Sequence, residues 1–219
     1  MKTALILPAY NESAHISDMV QRALGFVDQL IVIDDCSQDA TFDEAKKAGA
    51  IALRHRVNLG KASALKTGCE AAILLGADVI ALMDSDGQHN PEDLPRFFQK
   101  LEHEGLDIVV GSRHGGDKMP IVRKFGNQLL EYASKLLFHV EIRDIQSGFR
   151  VFRADVYPQL KWVSNNYHAD AEMTVRIGLY KLKYKELFID TIYHDDYKGM
   201  TPIDGLKLLF NMFKWRILL

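Results

Sequence analysis

Two aspartates one residue apart, Asp84 and Asp86, lie in the run Met83-Asp84-Ser85-Asp86-Gly87-Gln88-His89. Carboxylates are hard oxygen ligands. At this spacing both can reach one divalent cation that keeps positions open for phosphate oxygens, as Mg²⁺ or Mn²⁺ does. Gln88 adds a further oxygen, directly or through water. The competing reading is a strand-end turn in which Asp and Ser cap nearby amides. His89 reads as a turn residue.

The flanks say where the pair stands. An apolar run over 79–83 predicts a buried parallel strand. Asn90-Pro91-Glu92-Asp93 then predicts a helix start, with Asn90 as N-cap, Pro91 at the first helical position and acids in the first turn. The aspartates therefore sit at the carboxyl end of a strand, where open α/β sheets bind ligands.

The same alternation runs along the chain. Strands are predicted over 4–8, 29–33, 51–55 and 106–110, with helical periodicity between them, including a long helix opened by Asn58-Leu59-Gly60-Lys61. Repeated β-then-α units imply a parallel sheet with right-handed crossovers. Residues 123–139 read as a helix with a wide apolar face. Asp144-Ile145-Gln146-Ser147-Gly148-Phe149-Arg150 is a turn feeding a strand, and a helix over 169–182 and a strand over 185–193 follow. The Gly115-Gly116 loop is a candidate for mobility. Thr201-Pro202 opens a last helix whose polar stripe is only Asp204, Lys207, Asn211 and Lys214. A helix this apolar either packs under the domain or lies against a membrane or partner.

Composition excludes other classes. The 219 residues suffice for one large domain. A net charge of −2 gives no bulk attraction to nucleic acid. Cys36 and Cys69 lack metal spacing and suit a reducing compartment. The N-terminus carries no signal-peptide cleavage pattern, and no run is long enough to span a bilayer. The first β-to-α turn lacks Gly-x-Gly-x-x-Gly, against a dehydrogenase, and Gly60-Lys61 lacks the earlier glycine of a P-loop. The expected location is cytoplasmic, either free or peripheral on the cytoplasmic face of a membrane.

Six stretches, in this order, resemble a family 2 glycosyltransferase of GT-A fold, most of all the polyprenyl-phosphate (dolichyl-phosphate) mannosyl- and glucosyltransferase branch. They are Leu7-Pro8-Ala9-Tyr10-Asn11-Glu12, Val32-Ile33-Asp34-Asp35-Cys36-Ser37-Gln38-Asp39, Asn58-Leu59-Gly60-Lys61, Asp84-Ser85-Asp86-Gly87-Gln88-His89, Gly111-Ser112-Arg113 and the segment from Asp144 to Arg150. The resemblance implies an α/β fold with a mostly parallel central sheet and helices on both faces over 1–200. The amphipathic helix 201–219 would be packed on it or membrane-facing. It implies inverting, metal-dependent transfer of a sugar from a UDP- or GDP-linked donor to a polyprenyl phosphate.

By the same resemblance, Pro8, Ala9, Tyr10, Glu12 and Asp35 would line the nucleoside pocket, with Asp35 accepting from the base edge and Glu12 holding ribose hydroxyls. Ser85 would join the donor site. Gly60 would allow close approach, and Lys61 would offset pyrophosphate charge. Asp84 and Asp86, with Gln88 and His194, would hold Mg²⁺ or Mn²⁺. Arg113 and Arg123 would hold the acceptor phosphate, with Asn127 where the branch has serine and Lys198 where it usually has arginine. Asp144 is the general base if the acceptor is a hydroxyl, or else a cap for its turn. Two rival functions share the donor features: transfer to a soluble sugar or glycan hydroxyl, and a non-catalytic nucleotide-sugar-binding or interaction module.

Overall fold

The computed structural model describes residues 1–113, 121–164, 168–190 and 202–218. Its centre is a seven-stranded sheet in the order β3-β2-β1-β4-β6-β5-β7. The strands are β1 (Thr3–Ala9), β2 (Gln29–Asp34), β3 (Ile51–Arg54), β4 (Val79–Leu82), β5 (Ile108–Arg113), β6 (Arg150–Arg153) and β7 (Tyr184–Ile189). The helices are α1 (Ile16–Ala23), α2 (Thr41–Lys47), α3 (Lys61–Leu74), α4 (Leu94–His103), α5 (Ile121–Phe138), α6 (Tyr157–Leu160), α7 (Ala169–Leu179) and α8 (Pro202–Leu218).

Alternation along the strands builds two apolar layers. On β1, Ile6 faces Ile33, Leu65 and Leu82. Leu5 and Leu7 face the other way, toward α1 and α4 through Val20 and Phe97. Both faces are covered, so the strands read as continuous apolar runs, as a parallel sheet requires. One strand breaks the rule: β6 is antiparallel to both neighbours, pairing Arg150 with Leu82 of β4 and with Val110 of β5. Its amino end therefore lies beside the carboxyl ends of β4 and β5. The expected mostly parallel sheet is present, and the reversal delivers the segment from Asp144 to Phe149 to the edge that carries Asp84.

Local departures have local causes. The Asn90 side chain makes no cap bond. Its Oδ1 accepts instead from Arg22 at 3.4 Å, and Pro91–Asp93 forms a 3₁₀ turn before α4 starts. The short helix α6, made by the 157–160 stretch, is too brief to show periodicity. The end of the strand expected over 185–193, the Gly115-Gly116 loop and Thr201 lie outside the described residues.

The last helix does pack. Leu208 and Met212 of α8 are fully buried in the layer that holds Leu130 and Ala133 of α5. Its opposite stripe is Leu206, Phe210, Phe213 and Ile217, between 51% and 83% exposed. Leu129, Tyr132 and Leu136 of α5 are also exposed. No helix of the described residues is long and apolar enough to cross a membrane.

Candidate active site

The edge is built first from backbone bonds to buried side chains. Asp34 ends β2 and is wholly buried, its Oδ1 accepting from Ser37 N–H at 3.1 Å and its other oxygen facing Arg54. Asn11 has φ 57 and accepts from Gln38 N–H at 2.8 Å, while Glu12 N–H donates to Thr41 Oγ1 at 2.8 Å. The loops after β1 and β2 are thus stitched together. Tyr10 stands 46% exposed on the joined surface. Pro8 and Ala9 close the strand beneath it, and Ser85 donates its hydroxyl to the Pro8 carbonyl at 2.7 Å.

Asp35 is buried and takes donors on both oxygens. His55 Nδ1 (2.7 Å) and Leu59 N–H (2.9 Å) reach Oδ1, and Gly60 N–H (2.7 Å) reaches Oδ2. Roughly three of its four lone-pair directions are therefore committed to the 55–60 loop, so Asp35 first of all shapes that loop. Gly60 precedes α3 with φ 86, a backbone state that penalises any side chain. That turn aims Lys61 back over the sheet edge.

Lys61 Nζ ion-pairs with Asp84 Oδ1 and lies 3.8 Å from Asp170 Oδ2. Burial disfavours the ammonium, but Asp84 and then Asp170 hold its pKa above the ordinary lysine range. Burial opposes ionisation of Asp84 too, yet Lys61 above all keeps its pKa below the ordinary value. His89 is buried 5.6 Å from the Phe149 ring, and burial pushes it toward the neutral form. A neutral ring can accept the Asp84 N–H at Nδ1, 3.3 Å away. Asp86 Oδ1 accepts from Gln88 N–H at 3.0 Å.

Glu12 is pushed up to about 7, by burial first and then by Asp86, Asp39 and Asp84. The native protein therefore holds a proton that the unfolded chain has released above its ordinary value of 4.5. The stability Glu12 contributes is complete below 4.5 and is lost as pH rises through about 7. Denaturant unfolding from pH 4.5 to 8 should show a flatter profile in Glu12→Gln than in wild type; equal slopes would refute the assignment.

On the other flank, Arg113 ends β5 and forks onto Asp144, Nε to Oδ2 at 2.5 Å and one terminal nitrogen to Oδ1 at 3.0 Å. Arg113 N–H also meets Oδ2 at 3.3 Å. Asp144 thus faces the arginine with both oxygens, not the turn that follows it. The turn closes through its carbonyl, 3.3 Å from Ser147 N–H. As a base for a hydroxyl acceptor, Asp144 would have to share an oxygen with the arginine.

Sequence reading assigned no role to Gly148, yet it sets the position of Asp84. A Cβ at 148 would sit 2.8 and 2.9 Å from the two Asp84 carboxylate oxygens. Gly148→Ala should leave the melting temperature near wild type. Because misplacement by ~1 Å can cost ~10²-fold, turnover should fall by about that factor. Unchanged turnover would show that Asp84 does not act.

The structure therefore gathers Pro8, Ala9, Glu12, Asp35, Gly60, Lys61, Asp84, Ser85, Asp86 and Gln88 along one sheet edge, with Arg113 and Asp144 beside it. Arg123 and Asn127 belong to α5, but their side chains, like His194 and Lys198, lie outside the described residues. Among the described residues, no group of three or more His, Cys, Asp or Glu is arranged to hold a metal ion. The donor chemistry fits a hard cation nonetheless. Asp84 has already drawn an ammonium, and Asp86 and Asp84 stand close enough to add to the effect of burial in raising the Glu12 pKa. Asp170, absent from the sequence-based site, is the addition: it is buried beside Lys61 with Oδ1 unpartnered.

Comparison with known proteins gives the same outline. The model of the family described as Glycosyl transferase family 2 matches residues 4–160. An uncharacterized protein of Methanocaldococcus jannaschii is 32% identical, covering 97% of this chain and 91% of its own length. UDP-N-acetylglucosamine–dolichyl-phosphate N-acetylglucosaminyltransferase of Methanococcus voltae is 31% identical, covering 95% of this chain and 93% of its own. Among solved structures, glucosyl-3-phosphoglycerate synthase from Mycobacterium tuberculosis in complex with Mg²⁺ and uridine diphosphate superposes with TM-score 0.74. It is 20% identical, over 98% of this chain and 79% of that one.

Proposed function

The chain belongs to glycosyl transferase family 2 and is a glycosyltransferase of GT-A fold, and on that premise we propose that it moves a sugar from a nucleoside diphosphate to a polyprenyl phosphate. The donor would be UDP- or GDP-linked, and the anomeric centre would invert. The observation that carries this reading is the pairing of Lys61 with Asp84 at the edge where Asp86, Gln88 and Glu12 also converge.

The nucleoside would lie over Pro8, Ala9 and Tyr10, with Glu12 toward the ribose and Asp35 holding the loop that closes on it. Gly60 and Lys61 would face the diphosphate, the glycine by leaving room and the lysine by its charge. Asp84, Asp86 and Gln88, joined by His194, would hold Mg²⁺ or Mn²⁺. Bound there, the cation supplies Lewis-acid stabilisation of the diphosphate leaving group. An acceptor phosphate oxygen attacks the anomeric carbon while the bond to the donor phosphate breaks. A phosphate is already anionic and needs orientation rather than a base. That suits a site whose nearby carboxylate, Asp144, is committed to Arg113. Arg113, with Arg123, Asn127 and Lys198, would orient it.

The exposed stripes of α5 and α8 would rest on a membrane surface carrying the lipid. Transfer is tested with nucleotide sugars, Mg²⁺ or Mn²⁺ and a short polyprenyl phosphate, beside a soluble-hydroxyl arm. Absence of transfer to the phosphate with every common donor would end this reading, and transfer only to the hydroxyl would replace it. Liposome flotation tests the surface. Wild type should float, and Phe210→Asp with Phe213→Asp should abolish flotation while sparing transfer to the short acceptor. Flotation unaffected by the double variant would discard the stripe as the contact.

A further inference from the structure

Lys61 stands between two carboxylates from distant parts of the chain. It pairs with Asp84 at the end of β4, and Asp170 in the first turn of α7 is 3.8 Å away. Asp170 is 7% exposed, and its Oδ1 is buried without a hydrogen-bond partner. A buried oxygen left open is costly unless something claims it in another state. Ordinary helix capping does not account for it, because a capping carboxylate would spend that oxygen on a backbone N–H. The wholly buried Arg150, its Nη1 likewise unpartnered, is close enough to interact electrostatically with Asp170. This gives Asp170 a positively charged backing without consuming the oxygen.

An ammonium and a divalent cation cannot share the same side of Asp84. Lysine is a point charge on a flexible four-carbon stem, so a short swing suffices to change partners. We propose that Asp170 is a positioning residue that receives Lys61 when Asp84 takes up the cation, keeping the ammonium at the mouth where diphosphate oxygens arrive. The inference rests on the reading that Asp84 binds the cation. It adds that cation entry and the lysine position are one exchange.

Manganese binding to the full chain without nucleotide tests this, read from the electron paramagnetic resonance signal of free Mn²⁺. Lys61→Met removes the competitor and should bind Mn²⁺ about two- to fivefold tighter than wild type, the scale of one partly exposed ion pair. Asp170→Asn removes the alternative holder and should bind several-fold weaker, and Asp170→Glu should restore wild-type affinity. In the Lys61→Met background, Asp170→Asn should change affinity by less than about twofold, because only coupled sites depart from additivity. A general loss of negative charge would weaken binding equally in both backgrounds, and that result overturns the proposal. If Asp170→Asn does not fold, the comparison of Lys61→Met with Lys61→Arg decides. Affinity in Lys61→Met no higher than in wild type and Lys61→Arg also overturns the proposal. If no variant binds Mn²⁺ even with UDP or GDP present, the cation reading of Asp84 fails and takes this inference with it. Binding that requires Asp84 yet ignores Lys61 refutes the inference alone.

Discussion

Asp84→Asn should abolish sugar transfer while leaving a folded protein. The amide keeps the size of the carboxylate and so preserves the contact with Gly148. It removes the charge that holds Lys61 and that would anchor the cation. Losing one anchor removes several kcal/mol of leaving-group stabilisation, and at ~1.4 kcal/mol per factor of ten turnover should fall at least ~10³-fold. The measurement is initial rate at saturating Mn²⁺, beside a circular dichroism melt. The melt should change little, since Asp84 is partly open to solvent and Lys61 can turn to Asp170. A variant that keeps a tenth of wild-type turnover would remove Asp84 from the chemistry.

The largest expected loss of stability lies one helix away. Glu172 is fully buried and accepts from Val163 N–H (2.8 Å), Ser164 N–H (2.9 Å), Ser164 Oγ (2.6 Å) and Arg176 Nε (2.9 Å). Burial opposes its charge, and the Ser164 donors and their neighbours hold its pKa below the ordinary value all the same. Glu172→Ala strands the nearly buried Arg176 and leaves two backbone donors without an acceptor. Breaking a buried pair from one side costs about 3–5 kcal/mol. For a chain this long that is a fall in melting temperature on the order of 10 °C. Equilibrium denaturation measures it, and a loss below about 1 kcal/mol would show that water replaces the carboxylate.

Much of the fold was legible because its elements carry long periodic signals. The runs at β1, β2 and β4, each ending in polar residues, mark parallel strands and place Asp34, Asp35, Asp84 and Asp86 at one edge. The antiparallel setting of β6 was not legible. A strand of four residues carries no sign of direction, which is fixed by pairing with β4 and β5. Partnership was also hidden. Nothing local links Arg113 to Asp144, or Lys61 to Asp170, because the sheet brings them together across long stretches of chain. Gly148 was visible as a glycine, but the atom it makes room for belongs to Asp84, sixty-four positions earlier. The exposed stripe of α8 was half legible: the narrow polar stripe was plain, whereas which apolar side would pack against α5 depends on the tertiary neighbours.

The backward strand works as a ruler. Main-chain pairing of Arg150 with both Leu82 and Val110 fixes how far Gly148 projects toward Asp84. A slip of one residue would turn Phe149 off its stack on Phe97 and send Arg150 to the wrong face. The spacing from Gly148 to Arg150 can therefore tolerate neither insertion nor deletion. The stretch between the end of α5 and Asp144 is gauged by other means: Val140 and Ile142 are buried in the core, and the N–H groups of Glu141 and Arg143 donate to Tyr184 Oη and Glu186 Oε1 of β7, at 2.7 and 2.8 Å.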